Sequence, residues 1–128
     1  MADMTKKIKR LPDAECSVMQ IIWQADGPVT SSYVQEQAAQ DWKATSVLTF
    51  LSRLTEKGFL SCEKRGKVNF YRPLVEKEQY LQQEGANFLK QLYNGSVKDL
   101  VVSLAHAGAV TDEDLQDLRS FLDAQGEG

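Results

Sequence analysis

Between Lys43 and Leu60 the chain reads KATSVLTFLSRLTEKGFL, an amphipathic helix that stops at a glycine and runs directly into a strand. Val47, Phe50, Leu51 and Leu54 recur at i, i+3, i+4 and i+7, which places them on one side of a helix. The other side is short and polar. Thr45, Ser46, Thr49, Ser52 and Arg53 can hydrogen-bond without the bulk that would hold a helix out of a groove, and Lys57-Gly58 supplies a basic last turn and a C-terminal stop.

After Gly58 the pattern becomes two short extended runs, Phe59 to Glu63 and Val68 to Arg72, joined by Lys64, Arg65, Gly66 and Lys67. This predicts a β-hairpin with a basic tip, ended by Pro73, which has no amide hydrogen for a ladder. A polar-faced helix followed by a basic hairpin is the element order of a winged helix-turn-helix, in which the helix enters the major groove and the wing follows the phosphates. Taken singly, each element also reads as ordinary surface structure.

The preceding residues supply the rest of such a domain. Leu11-Pro12-Asp13 opens a first helix with Asp13 as its expected N-cap, and Ala14, Val18, Ile21, Ile22 and Ala25 give it a core-facing stripe with Met19 and Trp23 beside it. Asp26-Gly27-Pro28 breaks that helix, Val29 is placed for a brief strand contact, and Thr30 caps a second helix carrying Val34 and Ala38. Residues 1–73 are therefore expected to form a winged helix-turn-helix DNA-binding domain.

Beyond Pro73 the chain turns to helix without strand. Val75 to Tyr93 has apolar residues at helical spacing, interrupted by Gly85 and ended by Asn94-Gly95. Ser96 with Asp99, and Thr111 with Asp114, approximate capping boxes for two more helices. In 55 residues these helices can build only a small core, so Phe88, Leu92, Leu100, Leu104, Leu115, Leu118 and Leu122 need cover from elsewhere. A second copy is the simplest cover, and folding back on the front domain is the alternative. The expected fold class is thus mainly α with a small β-hairpin: an N-terminal winged helix-turn-helix, then a helical dimerisation region over residues 74–128.

The net charge of −3 hides a division. Residues 1–73 carry 11 Lys+Arg against 8 Asp+Glu, whereas residues 74–128 carry 4 against 10. Local field, not net charge, attracts a polyanion. The N-terminal MADMTKKIKR is basic with no apolar stretch behind it, and no run approaches the ~20 residues of a membrane span, so a cytoplasmic protein without membrane insertion is expected. Cys16 and Cys62 stand far apart and read as small buried residues, His106 alone makes no metal site, and Asp112, Glu113 and Asp114 suit a helix N-terminus. No catalytic group, cofactor or metal is expected.

Several stretches resemble the BlaI/MecI/CopY family of bacterial penicillinase and copper-response repressors. Ala14-Glu15, Val18-Met19 and Ile22-Trp23 resemble the family's AExxVMxxIW. Trp42 through Val47, Thr49, Leu51, Arg53-Leu54 and Lys57-Gly58 are similar to its reading helix, and Tyr71-Arg72-Pro73 to the end of its wing. Phe88-Leu89, Leu92-Tyr93, Gly95, Leu100-Val101 and the region from Leu115 to Leu118 resemble its dimerisation helices.

The resemblance implies a homodimeric repressor on a palindromic double-stranded operator, released in one branch by a membrane-bound sensor protease that leads to cleavage in the dimerisation helices. The matching positions here are Ser103 and Leu104, where the family's well-known members have Asn and Phe. The copper branch uses a C-terminal cysteine cluster that this chain lacks. Residues expected to meet DNA are Lys43, Thr45, Ser46, Thr49 and Arg53 on the helix and Lys64, Arg65 and Lys67 on the wing. Thr45 and Leu48 stand where the β-lactam repressors have Lys and Arg. Two other readings stay open: a winged-helix module for protein contact only, and a repressor answering another signal such as a metal.

Overall fold

The computed structural model describes residues 10–127, so most of the basic N-terminal run lies outside the described residues. The element order is α1 (Asp13–Gln24), α2 (Ser31–Gln37), α3 (Ala44–Glu56), β1 (Leu60–Arg65), β2 (Val68–Pro73), α4 (Lys77–Tyr93), α5 (Val97–His106) and α6 (Asp112–Glu127). Two compact units divide between Glu84 and Gly85.

The first unit has a continuous core. Val18, Met19 and Ile22 of α1, Val34 of α2 and Val47, Leu51 and Leu54 of α3 are buried together with Phe59, Leu60 and Tyr71. The i, i+4 and i+7 spacing of Val47, Leu51 and Leu54 is what turns one stripe of α3 inward, while Phe50 is only half-buried, edge-on to Trp42 with ring centroids 5.1 Å apart. Gly58, at φ 84°, takes the left-handed turn that ends α3 and sends Phe59 into the core.

β1 and β2 pair antiparallel from Leu60 opposite Pro73 to Arg65 opposite Val68. Two residues, Gly66 and Lys67, make the turn, with Gly66 at φ 64°. Val29 adds an isolated bridge to Tyr71 through reciprocal backbone hydrogen bonds of 2.9 and 2.8 Å, the brief strand contact its sequence position suggests. Tyr71 is thereby an inward residue of the wing, as is Leu60 of β1.

A charged pair lies in this core. The Glu15 side chain is buried, and its carboxylate accepts from Lys57 Nζ at 2.5 Å, tying α1 to the residue that caps α3. The sequence reads Lys57 merely as a basic last turn, because the partner is 42 positions away.

The compact division falls beyond Pro73 because the first turn of α4 belongs to the winged helix. Tyr80 is buried with its ring 5.8 Å from both Trp23 and Phe59, and its hydroxyl accepts from the Leu11 amide at 3.0 Å. Burial raises the Tyr80 phenol above its ordinary pKa, which keeps it neutral in that role. Trp23 Nε1 donates to the Val75 carbonyl at 2.8 Å. Helix α4 starts at Lys77 and runs through Gly85 without interruption.

Three smaller expectations change. Asp13 is the first helical residue, and Pro12 precedes it without a side-chain cap. Cys62 is exposed although it pairs with the buried Tyr71 in the ladder, and Cys16 is half-buried. Thr30, by contrast, caps α2 as expected, accepting from the Tyr33 amide.

In the second unit, Tyr93 lies beside Phe88 at 6.0 Å between ring centroids, and its hydroxyl donates to Ser103 Oγ at 3.2 Å. Ser96 caps α5 through the Asp99 amide. Thr111 and Asp114 form a full capping box at the start of α6, with bonds of 3.0 and 3.1 Å, and the Thr111 amide holds the Asp114 carboxyl below its ordinary pKa. No residue described between 85 and 126 is buried.

Removing one member of a buried pair strands the other. Lys57→Met is expected to lower the stability of the full chain by about 3 kcal/mol in urea unfolding at fixed protein concentration, and Glu15→Leu/Lys57→Met to recover most of it. Equal stability of Lys57→Met and the parent would show that Glu15 does not depend on this cation.

Candidate nucleic-acid interface

One side of α3 stays free once its apolar stripe is buried. Thr45, Leu48, Thr49, Ser52 and Arg53 are exposed on it, Ser46 is half-buried, and Lys43 is exposed immediately before the helix. The Thr49 hydroxyl donates to the Thr45 carbonyl at 3.0 Å, which occupies its proton and leaves the methyl as the group offered outward for apolar contact. Ahead of α3, Gln35 Nε2 donates to the Trp42 carbonyl at 3.1 Å and so fixes the loop from which the helix starts.

The wing carries Lys64, Arg65 and Lys67, all exposed. They are not equivalent. The Arg65 guanidinium is bonded to Glu63 at 3.1 Å and lies 4.7 Å from the Phe70 ring centroid, so part of its charge is answered within the wing. No comparable contact with an acid is seen for Lys64 or Lys67 among the described residues. The sequence shows three wing cations but not that one of them has an acid two residues away on the same strand face.

A cleft of about 290 Å³ opens between the start of α2, α3 and β2, lined by Thr30, Ser31, Ser32, Leu48, Lys67, Val68, Asn69 and Tyr71. It brings the α3 face and Lys67 of the wing to one place. Sequence reasoning missed the residues of α2 in it. Their signal is the run of three hydroxyl residues Thr30-Ser31-Ser32, of which only the first reads as a cap. The basic tip and the hydroxyl-rich helix face together form a surface that can meet phosphate oxygens at its margins and base edges at its centre.

The residues expected to meet a second copy fall elsewhere, in α4, α5 and α6. Phe88, Leu92, Leu104, Leu115, Leu118 and Leu122 are exposed and Leu100 is half-buried. Ser103 and Leu104 lie within α5, both exposed. Among the described residues no group of three His, Cys, Asp or Glu is placed to hold a metal ion, and no helix is long and apolar enough to cross a membrane.

The chain has extensive likeness to known proteins. The penicillinase repressor family model matches residues 11–124. The penicillinase repressor of Bacillus licheniformis is 29% identical over 92% of this chain and 93% of its own length. The methicillin resistance regulatory protein MecI of Staphylococcus aureus is 28% identical over 93% of this chain and 98% of its own. Among solved structures, the DNA-binding domain of the repressor BlaI matches with a TM-score of 0.51 and 32% identity, covering 59% of this chain and 94% of that one. The monomeric form of Bacillus licheniformis BlaI in complex with the blaP half-operator matches over the same shares, with a TM-score of 0.50.

If Glu63 restrains the charge of Arg65, Glu63→Gln is expected to tighten binding to duplex DNA of any sequence and to steepen the log-log salt slope by up to about one per chain. The check is anisotropy across a salt series. An unchanged slope would mean that Arg65 does not face phosphate.

Proposed function

Because the chain belongs to the penicillinase repressor family, we propose that it is a homodimer that occupies an inverted-repeat operator and keeps polymerase from the promoter. It is a repressor of the BlaI type and not an enzyme. The observation that carries the DNA reading is the exposed, hydroxyl-rich face of α3 beside a basic wing, on a unit that resembles a BlaI domain solved with its half-operator. Lys43, Thr45, Ser46, Thr49 and Arg53 meet DNA from α3, and Lys64, Arg65 and Lys67 follow the phosphates from the wing. The site of action is the cytoplasm.

The dimer rests on the second unit. A helical unit with no buried residue among those described does not hold three helices together by its own core, so the apolar side chains of α4, α5 and α6 are covered by the same side chains of a second copy. Two-fold symmetry then sets the two α3 helices about 34 Å apart on one face of DNA.

Release follows from the same division. A cut at Ser103-Leu104 within α5 breaks the dimer while leaving the reading unit whole, and a membrane-bound sensor protease is the agent the family relationship suggests. Because both residues are helical, α5 must unwind locally before a protease can take the backbone.

The test is fluorescence anisotropy of the full chain on its own upstream promoter fragment and on a scrambled duplex, across a salt series. The expected result is tight preference for the promoter, with two chains per site. The slope should lie between about −7 and about −9, from four unrestrained cations per chain at ~0.9 each and a fifth, Arg65, shared with Glu63. Equal weak binding to both duplexes would favour the protein-contact reading. Leu118→Asp places an unpaired charge where the apolar faces meet, so it should yield monomers by sedimentation and lose cooperative binding to the two half-sites. A parent protein that sediments as a monomer would overturn the dimer.

A further inference from the structure

Leu48 is a large aliphatic side chain left 47% exposed in the middle of the face formed by Thr45, Thr49 and Ser52. Packing does not require it there, since Val47, Leu51 and Leu54 already complete the buried stripe of α3. Val68 of the wing, 45% exposed, borders the same cleft, with Lys67 and Asn69 beside it. Two apolar side chains thus stand uncovered where the surface around them is built of cations and hydroxyls.

Such a patch fits a partner that is a polyanion at its margins and presents isolated methyl groups within. The major groove of DNA has that chemistry: its apolar group is the C5-methyl of thymine, while guanine, cytosine and adenine show only donors and acceptors there. Leucine can answer none of those polar groups. Any pair facing it loses water from its polar edge without gaining a hydrogen bond, but a T·A pair gains a methyl contact in return and a G·C pair gains none.

We infer that Leu48, with Val68 across the cleft, is a specificity-determining residue that selects a T·A pair by packing on the thymine methyl. The inference rests on the repressor reading, which turns α3 toward DNA. The surrounding cations make the placement consistent, because they bring the backbone of the same duplex to the rim of the cleft.

The experiment starts from duplexes that the full-length protein enriches from a random synthetic pool. The best of these is remade with deoxyuridine at every thymidine, which removes the methyl groups and keeps the pairing. The synthetic strands contain no 5-methylcytosine, so the methyls at issue are those of thymine. Binding of both duplexes is measured for the parent, Leu48→Ala and Lys67→Ala.

The parent should prefer the thymine duplex by roughly fourfold for each methyl buried. Leu48→Ala should bring that ratio toward one, and Lys67→Ala should weaken both duplexes alike and leave the ratio unchanged. Any effect of uracil on DNA shape is common to the three proteins and cancels in the comparison. An unchanged ratio in Leu48→Ala overturns the inference while leaving the repressor reading intact. Failure to enrich any duplex over scrambled DNA overturns the repressor reading and takes the inference with it.

Discussion

Glu15 is 2% exposed, and burying a carboxylate so far from water is costly unless a cation meets it. Lys57 meets it from the end of α3. The ammonium sits at the cap of α3 and the carboxylate in the first turns of α1, so the pair links the two helices just before Gly58 turns the chain into the wing. The apolar contacts of Val47, Leu51 and Leu54 hold α3 down but are non-directional. The ion pair adds one directional contact to them at the end of α3.

The two units solve different physical problems. The first closes its own core, with Tyr80 bringing the start of α4 onto Trp23 and Phe59. The second has well-formed helix starts at Ser96 and at Thr111, but among its described residues none is more than half-buried. Caps contribute about 1 kcal/mol each and cannot replace a core. On the dimer reading, this asymmetry is useful to a repressor: the unit that reads DNA does not unfold when the copies part. Separation lowers affinity by removing the second half-site from the binding event, not by damaging the first.

The winged helix was legible in the sequence because its signals are local. The i, i+3, i+4, i+7 spacing of α3, the stop at Gly58, the tight turn at Gly66 and the cap at Thr30 each act within a few residues, and each stands in the structure where it was expected. What was not legible is long-range. Nothing near Glu15 announces Lys57, nothing near Tyr80 announces Leu11, and nothing near Cys62 announces that it is exposed while its ladder partner Tyr71 is buried. The candidate interface was legible for the same reason in part: its cations and hydroxyls could be named, but the cleft that joins α2, α3 and β2 depends on three segments meeting. The Asp13 cap failed because Pro12 opens the helix one residue earlier than an Asp cap requires, which makes Asp13 a first-turn acid that still suits the helix dipole.

The electrostatics of the candidate interface constrain how it can discriminate. Of the basic residues on α3 and the wing, Lys57 is committed to Glu15 and Arg65 is shared with Glu63 and Phe70. Fewer free cations mean a smaller sequence-independent attraction to any duplex, since that attraction comes from released counterions. A binder with weak general attraction need not overcome a large background of non-specific sites, and a few short-range contacts then suffice to set its preference. On the proposed reading those contacts come from the centre of the α3 face, where Thr45, Thr49 and Leu48 offer a hydroxyl, a methyl and an aliphatic chain but no charge. On that reading the centre of the face gains little from bidentate guanine contacts and depends on fit to methyl groups and on the position that the phosphates impose, so whatever seats α3 on α1, the Glu15–Lys57 pair among it, bears on which sequence is read.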